Sequence, residues 1–382
     1  MKVIIDVHDA TAKGMRGIKT YIINLVRNLM IRNNNDYGLS YFDMNHERGN
    51  QELILKYFED LAPKFYACSN MKRTFSNYFN AYANRSYDDF IETTANVFHF
   101  PAAAWVPDKL DGAMVVTCHD TIPLIQEFEP VNRAAYTNYT IGMYRIQKMK
   151  PIIITDSLST RTDVLSLGVV PEENVFAINL GVDTTQYKQI VRSDALQRFN
   201  LDKPYFVVVG SIGEVRKNTE RIISAFNRLS SNYDINLVFL GRANSQFLNK
   251  FTENALIGEK IFFTDFVTEE DKISLIAGAE ALLFPSLYEG FGLPIIEAQA
   301  CGIPVITSNV SSMPEVAGDA AILIDPYNIE QLAFEMERVL VDSQLRADFI
   351  TKGYENIKRF SWDKCATETE EVYKIAYERY NS

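Results

Sequence analysis

Two glutamates, Glu289 and Glu297, stand with seven residues between them inside the stretch Leu282 to Thr307, LLFPSLYEGFGLPIIEAQACGIPVIT. A carboxylate in a ligand site accepts hydrogen bonds, and the string between these two suggests what they accept from. Gly290 and Gly292 leave the backbone uncovered, so a ligand can come against it. Pro294 suits the first helical position, where its fixed φ fits and its missing N–H is no loss. Phe291, Gly292 and Leu293 are therefore expected at the mouth of a helix N-terminus, a place that attracts anions. An anion site flanked by two carboxylates makes chemical sense when the anion also brings hydroxyls for both acids. A sugar nucleotide does: hexose hydroxyls for one, the ribose diol for the other. The bland alternative is that a glycine turn before an amphipathic helix is ordinary α/β punctuation, with a glutamate that only complements the helix dipole.

A departing diphosphate also needs positive charge. Gly210-Ser-Ile-Gly213-Glu-Val-Arg216-Lys217-Asn218 follows the apolar run Tyr205 to Val209 and precedes a helix expected from about Thr219 to Ser230. Arg216 and Lys217, at a loop that meets a helix start, can neutralise phosphate; on a surface loop the same pair would only be solvated. His119 and Asp120 follow the apolar run Met114 to Thr117. Ligands of open α/β sheets bind beyond the carboxyl ends of the strands, so a His-Asp pair there is well placed for chemistry. His99 ends another such run. No D-x-D motif or clustered ligand set is seen, so no metal site is expected. Cys68, Cys118, Cys301 and Cys365 lie far apart without C-x-x-C spacing, which suggests free thiols in a reducing cytoplasm.

The elements that must hold these residues read as strand, loop, helix, repeatedly. Val3 to Val7 is a buried-strand run, Gly14 and Gly17 mark a loop, and Thr20 to Met30 carries apolar residues at helical spacing. Leu39 to Phe42, Val97 to Phe100, Met114 to Thr117, Pro151 to Thr155 and Val175 to Ile178 continue the strands, and Ser157 is a candidate N-cap. Lys64 to Arg85 interleaves aromatic and basic residues and reads either as a helix with a packed aromatic stripe or as a surface for a lipid-linked or polyanionic acceptor. The polar, interrupted stretch 184–203 reads as a linker. Beyond it the pattern begins again with Tyr205 to Val209, followed by Ile235 to Leu240, Ile261 to Phe263, Ala281 to Phe284 and Val305 to Thr307. The expected organisation is a Rossmann-like domain over 1–183, a linker over 184–203, a second Rossmann-like domain over 204–358, and a terminal segment, 359–382.

At 382 residues and 47% hydrophobic, the chain is long and apolar enough for two cores. Its net charge of −11 argues against an extended nucleic-acid face. Transmembrane spans call for about 18 or more consecutive apolar residues, and the chain has no such run and no apolar leader, so a cytoplasmic protein is expected.

Glu289-Gly-Phe-Gly-Leu-Pro-x-x-Glu297 resembles the E-x7-E signature of the retaining glycosyltransferases of family 4. Further segments are similar to that family: Gly17-Ile18-Lys19-Thr20-Tyr21, with Lys19 in place of the second glycine; Val115 to Pro123, including His119-Asp120; Gly181-Val182-Asp183; Gly210 to Asn218; Thr264-Asp265-Phe266-Val267; and Phe360-Ser361-Trp362. The resemblance implies the GT-B fold, two Rossmann-like domains facing a cleft, with a last helix crossing back to the N-terminal domain. It implies that His119 contacts the donor sugar, that Arg216 and Lys217 bind donor phosphates beside Gly213, that Phe266 and Val267 line the base pocket, that Glu289 takes hexose hydroxyls and that Glu297 takes the ribose. Lys19 would bring a charge to the diphosphate where the family has a close backbone approach at Gly17 and its neighbour.

The reaction implied is transfer of a hexosyl group, with a lean toward mannosyl, from GDP-mannose or a UDP-sugar to an acceptor hydroxyl, with retention and without metal or cofactor. The acceptor expected is a carbohydrate or lipid-linked glycan of cell-surface polysaccharide or glycoconjugate synthesis, met through peripheral membrane contact. A nucleotide-sugar epimerase of the same fold and a catalytically silent partner of another transferase are the alternatives. The first needs acid/base carboxylates that the sequence does not identify; the second has no chemical use for His119, Arg216, Lys217, Glu289 and Glu297 together.

Overall fold

The computed structural model describes residues 1–11, 17–42, 49–68, 86–125, 133–190, 193–199, 201–241, 243, 247, 256–265 and 267–382. They form two compact units, the first comprising Met1–Gln126, Pro130–Gly181 and Trp362–Ser382 and the second Val182–Ser361.

The first unit is built on a seven-stranded parallel sheet of β1 (Lys2–Asp6), β2 (Asp36–Phe42), β3 (Lys64–Cys68), β4 (Val97–Phe100), β5 (Ala113–Cys118), β6 (Ile152–Thr155) and β7 (Val175–Ala177), in the order β3-β2-β1-β4-β5-β6-β7. Central strands are buried along their length because helices cover both faces of a parallel sheet, and β4, β5 and β6 accordingly carry almost only apolar residues. Helix Gly17–Arg32 turns Tyr21, Ile22, Leu25, Val26 and Leu29 inward, the i, i+4, i+8 face visible in the sequence. The last helix, Trp362–Asn381, belongs to this unit. Its Tyr373 is fully buried and its Glu370 accepts hydrogen bonds from Arg32, Asn34 and Tyr37, so the chain's end is fastened to its beginning by packing and by charge.

The second unit repeats the logic with six parallel strands, β8 (Tyr205–Val209), β9 (Asn236–Leu240), β10 (Ile261–Phe263), β11 (Ala281–Phe284), β12 (Val305–Ser308) and β13 (Ile322–Ile324), in the order β10-β9-β8-β11-β12-β13. That order reverses between β8 and β11, and ligands of doubly wound sheets bind at such a reversal, outside the carboxyl ends of the strands. The loop after β8 carries Arg216 and Lys217; the loop after β11 carries Glu289. Sheet topology is therefore what brings these two loops side by side.

Three expectations need correction. Lys64–Cys68 is not the start of an aromatic helix but the edge strand β3, registered on β2 from Gly38↔Lys64 to Phe42↔Cys68; alternation of lysine and tyrosine with smaller residues suits an edge as well as a helix face. The remainder of that stretch, from 69 to 85, lies outside the described residues. The segment 184–203 is no bare linker: it carries helix Ser193–Arg198 and buries Tyr187, Ala195 and Leu201 within the second unit, three widely spaced side chains that leave no periodic trace. Finally, helix Leu293–Ala300 begins one residue before Pro294, with Gly292 as its N-cap at φ 110°, so proline holds the second helical position, where its missing N–H is equally harmless.

Candidate active site

In the second unit Arg216, Lys217 and Glu289 converge. Lys217 Nζ lies 2.6 Å from Glu289 Oε1 and Arg216 Nη1 lies 2.9 Å from Glu289 Oε2, so one carboxylate takes both cations, while Arg216 Nη2 reaches Glu214 at 2.9 Å. The loops are tied at the backbone by the Leu287 N–H donating to the Arg216 carbonyl at 2.7 Å. Asn218 adopts the left-handed conformation, φ 59°, and its amide donates to the carbonyls of Pro285 and Pro326, which fixes the turn that presents the two cations. Gly210, at φ 136°, leaves room for the lysine stem: a Cβ there would stand 3.2 Å from Lys217 Cε. Gly213 lies in the same loop at φ 91°.

Electrostatics follow burial. Burial by itself pushes the Glu289 carboxyl up, but the charges of Lys217 and Arg216 outweigh it and hold it below the usual carboxylate range. Lys217 is pulled down by burial further than Glu289 restores it, with Arg216 adding to the depression. The result is a compact cluster in which Arg216 and Lys217 share the Glu289 carboxylate and Arg216 also meets Glu214, in a place where water screens little.

The string between the glutamates is braced by residues the sequence did not single out. Ser312 Oγ lies 2.8 and 2.7 Å from the carbonyls of Glu289 and Phe291, either of which can accept its one proton, and Ser311 Oγ donates to the Glu289 carbonyl at 2.6 Å. Gly290 stands between these pinned carbonyls, Phe291 is buried edge-on against Phe360, and Gly292 and Leu293 open the helix. Glu297, on the second turn of that helix, is 5% exposed and is met by Lys272 and Tyr187. Val267 immediately precedes the capped start of helix Glu269–Ala277, where Thr268 accepts from the Asp271 N–H; Phe266 lies outside the described residues.

In the first unit His119 stands just past β5 with both ring nitrogens engaged: Nδ1 donates to Asp156 Oδ2 at 2.7 Å and Nε2 donates to the Pro101 carbonyl at 2.8 Å. Both partners are acceptors, an arrangement that favours the doubly protonated ring. Burial lowers its pKa, but Asp156 and then Asp120 more than compensate and raise it above the ordinary histidine value. Asp156 closes β6, one strand away, and sequence spacing gave no hint of the pairing. Asp120 accepts from the Ile122 N–H through Oδ1 at 3.0 Å, which shapes the turn after β5. His99, in contrast, is a core residue: it joins Tyr373 and Thr117, and burial followed by the His119 charge lowers it to about 3, so it stays neutral. Gly17 opens helix Gly17–Arg32, and Lys19 is buried with its ammonium 5.1 Å from the centre of the Tyr57 ring. Among the described residues no three His, Cys, Asp or Glu side chains gather as metal ligands.

Known proteins share both the sequence and the fold. A family model described as Glycosyl transferases group 1 matches residues 192–356, the region that holds Arg216, Lys217, Glu289 and Glu297. The O-antigen chain mannosyltransferase B of Escherichia coli is 31% identical over 306 residues, covering 77% of this chain and 77% of its own length. The MMP alpha-(1->4)-mannosyltransferase of Mycolicibacterium hassiacum is 27% identical over 289 residues, 71% of this chain and 67% of that protein. In three dimensions the chain matches Anabaena HepE, solved in complex with UDP-glucose, with a TM-score of 0.74 at 16% identity over 98% of this chain and 99% of that one. The similarity in sequence runs through both units and the similarity in structure spans almost the whole chain: this protein belongs to the glycosyl transferases of group 1 and has the GT-B fold.

Proposed function

We propose that this glycosyltransferase moves a mannosyl group from a nucleoside diphosphate sugar, GDP-mannose foremost, to a hydroxyl of a growing cell-surface glycan, with retention at the anomeric carbon and without a metal ion. The observation that carries this reading is the convergence of Arg216 and Lys217 on Glu289 at the strand-order reversal of the second unit. Two fixed cations within reach of one point supply what a departing diphosphate requires, and preorganised charge of this kind is the largest single contribution in many transfer reactions. A carboxylate has about four lone-pair sites; the cations use one on each Glu289 oxygen, the Ser286 side chain takes a further one, and what remains can accept from hexose hydroxyls. As phosphate charge grows on the leaving side, Arg216 and Lys217 neutralise it, while Glu289 keeps the sugar oriented.

In the same reading Glu297 holds the ribose, and backbone at Val267 and its neighbours reads the base. The names of the Escherichia coli and Mycolicibacterium relatives support the mannosyl assignment, and the UDP-glucose complex of HepE supports a nucleotide-sugar donor. No described helix is long and apolar enough to cross a membrane; in this reading a lipid-linked acceptor is met by peripheral contact. A panel of nucleotide sugars, incubated with the protein and glycan acceptors and followed by NMR of the anomeric proton, tests the whole reading. GDP-mannose turnover with an α-mannosyl product is expected; an inverted product, or preference for another sugar, would refute the corresponding part.

A further inference from the structure

Glu297 is built into a network that nothing in the diphosphate site explains. Lys272, on helix Glu269–Ala277, donates to Glu297 Oε1 at 2.9 Å, and the Tyr187 hydroxyl lies 2.9 Å from the same oxygen. Lys272 also donates to the Tyr187 hydroxyl at 2.8 Å, and Glu269 makes a close contact with that hydroxyl. A phenol has one proton, so Tyr187 can donate to only one carboxylate at a time, and the lysine must supply the charge that lets two acids share it. All of this is buried: the side chains of Lys272 and Glu297 are 15% and 7% exposed. Glu297 Oε2 is different. It lies 2.8 Å from the Lys272 ammonium but in poor alignment, and it finds no hydrogen-bond donor among the described residues. Oε1 of Glu297 is thus saturated by the protein, while Oε2 is buried beside the Lys272 ammonium without an aligned hydrogen-bond donor.

We infer that Lys272, with Tyr187, is a positioning residue for the donor's ribose: it occupies Glu297 Oε1 and holds the carboxylate in the orientation that leaves Oε2, the oxygen without an aligned donor, for the ribose diol. The inference rests on the reading of Glu297 as the ribose acceptor. Burying a carboxylate without a cation is unfavourable, and Lys272 supplies that cation beside Glu297. Burial pulls the lysine down, but Glu297 and then Glu269 outweigh it and hold it above the ordinary range, so the ammonium is present throughout the neutral region. The same lysine stands on the helix whose capped start, Thr268, follows Val267. Base-side and ribose-side elements are thereby fixed to each other.

The experiment is calorimetry on the full chain with GDP and UDP, each beside its 2′,3′-dideoxy form, for the parent, Glu297→Gln, Lys272→Met and Lys272→Arg, with thermal melting to register folding. A hydrogen bond to a charged group corresponds to about ten- to a hundredfold in affinity, so the parent should prefer the ribonucleotide by that factor. Lys272→Met should lose the preference by weakening ribonucleotide binding alone, with the dideoxy form bound as by the parent, and Lys272→Arg should restore most of it. If Glu297→Gln keeps the full preference, or the parent binds neither nucleotide, the ribose reading itself falls. If Glu297→Gln loses the preference but Lys272→Met keeps it, or weakens both forms equally without rescue by arginine, the lysine is merely structural and the inference is overturned.

Discussion

Lys217 and Glu289 are 72 residues apart in the chain, yet Nζ and Oε1 are separated by 2.6 Å, with Arg216 on the second carboxylate oxygen. The two cations are thus aimed at one carboxylate, and Arg216 has Glu214 as a second partner. Removing either should cost transition-state stabilisation rather than structure, because Glu289 keeps the other partner. Arg216→Ala and Lys217→Ala are each expected to lose about 2–4 kcal/mol in kcat/KM, with melting temperatures close to the parent. Steady-state kinetics beside thermal melting checks this, and parent-like turnover in both variants would remove the diphosphate assignment.

The two glutamates should separate in binding. Glu297→Gln is expected to weaken the free nucleoside diphosphate and the intact donor alike, by about 1.5–3 kcal/mol. Glu289→Gln should bind the diphosphate at least as tightly as the parent does, since Arg216 and Lys217 lose their competitor, while turnover falls about a hundredfold through loss of sugar positioning. Calorimetry with the diphosphate, alongside donor turnover, decides it; equal affinity losses in the two variants would mean that one acid has not been assigned to each sugar.

Turnover should persist in a chelator. In the proposed mechanism fixed cations do what a divalent ion does in metal-assisted transfer, where it neutralises developing charge on oxygen. Activity measured in EDTA within about twofold of the untreated rate is expected, an allowance small beside the several kcal/mol a required metal ion supplies. Abolition by EDTA with recovery in Mg²⁺ or Mn²⁺ would overturn the metal-free mechanism.

His119 gives the first unit a pH signature. Its pKa is raised in the folded protein, against burial, by Asp156 and Asp120, so the stabilisation it contributes is fully present below the ordinary histidine value of about 6.5 and is lost as pH rises through the raised value. The parent should therefore exceed His119→Gln in stability by about 1–3 kcal/mol at pH 6, the worth of a charge-assisted hydrogen bond, and the gap should narrow in alkaline solution. Denaturant unfolding of both proteins across that range measures it; a gap independent of pH would show that the ring is not charged.

Apolar runs are enough to specify strands of a parallel sheet, because both faces are buried and every position must be apolar. Tyr205–Val209, Ala281–Phe284 and Val97–Phe100 accordingly coincide with β8, β11 and β4. Local chemistry likewise announces itself: Ser157 and Thr268 cap their helices through their own side chains, as hydroxyls at such positions do. Glu289, Arg216 and Lys217 could be picked out because each sits in a glycine-bearing loop beside a helix start. Which residues meet was decided elsewhere. Tyr187 reaches Glu297 across 110 positions and His119 reaches Asp156 across 37, and these encounters depend on strand order, which one-dimensional periodicity does not encode. Tyr187 looked like linker and Lys272 like one more charged residue on a helix surface. An ordinary lysine becomes part of a site only when tertiary packing buries it beside two acids, and that burial is a property of the assembled sheet and its helices, not of any local stretch of sequence.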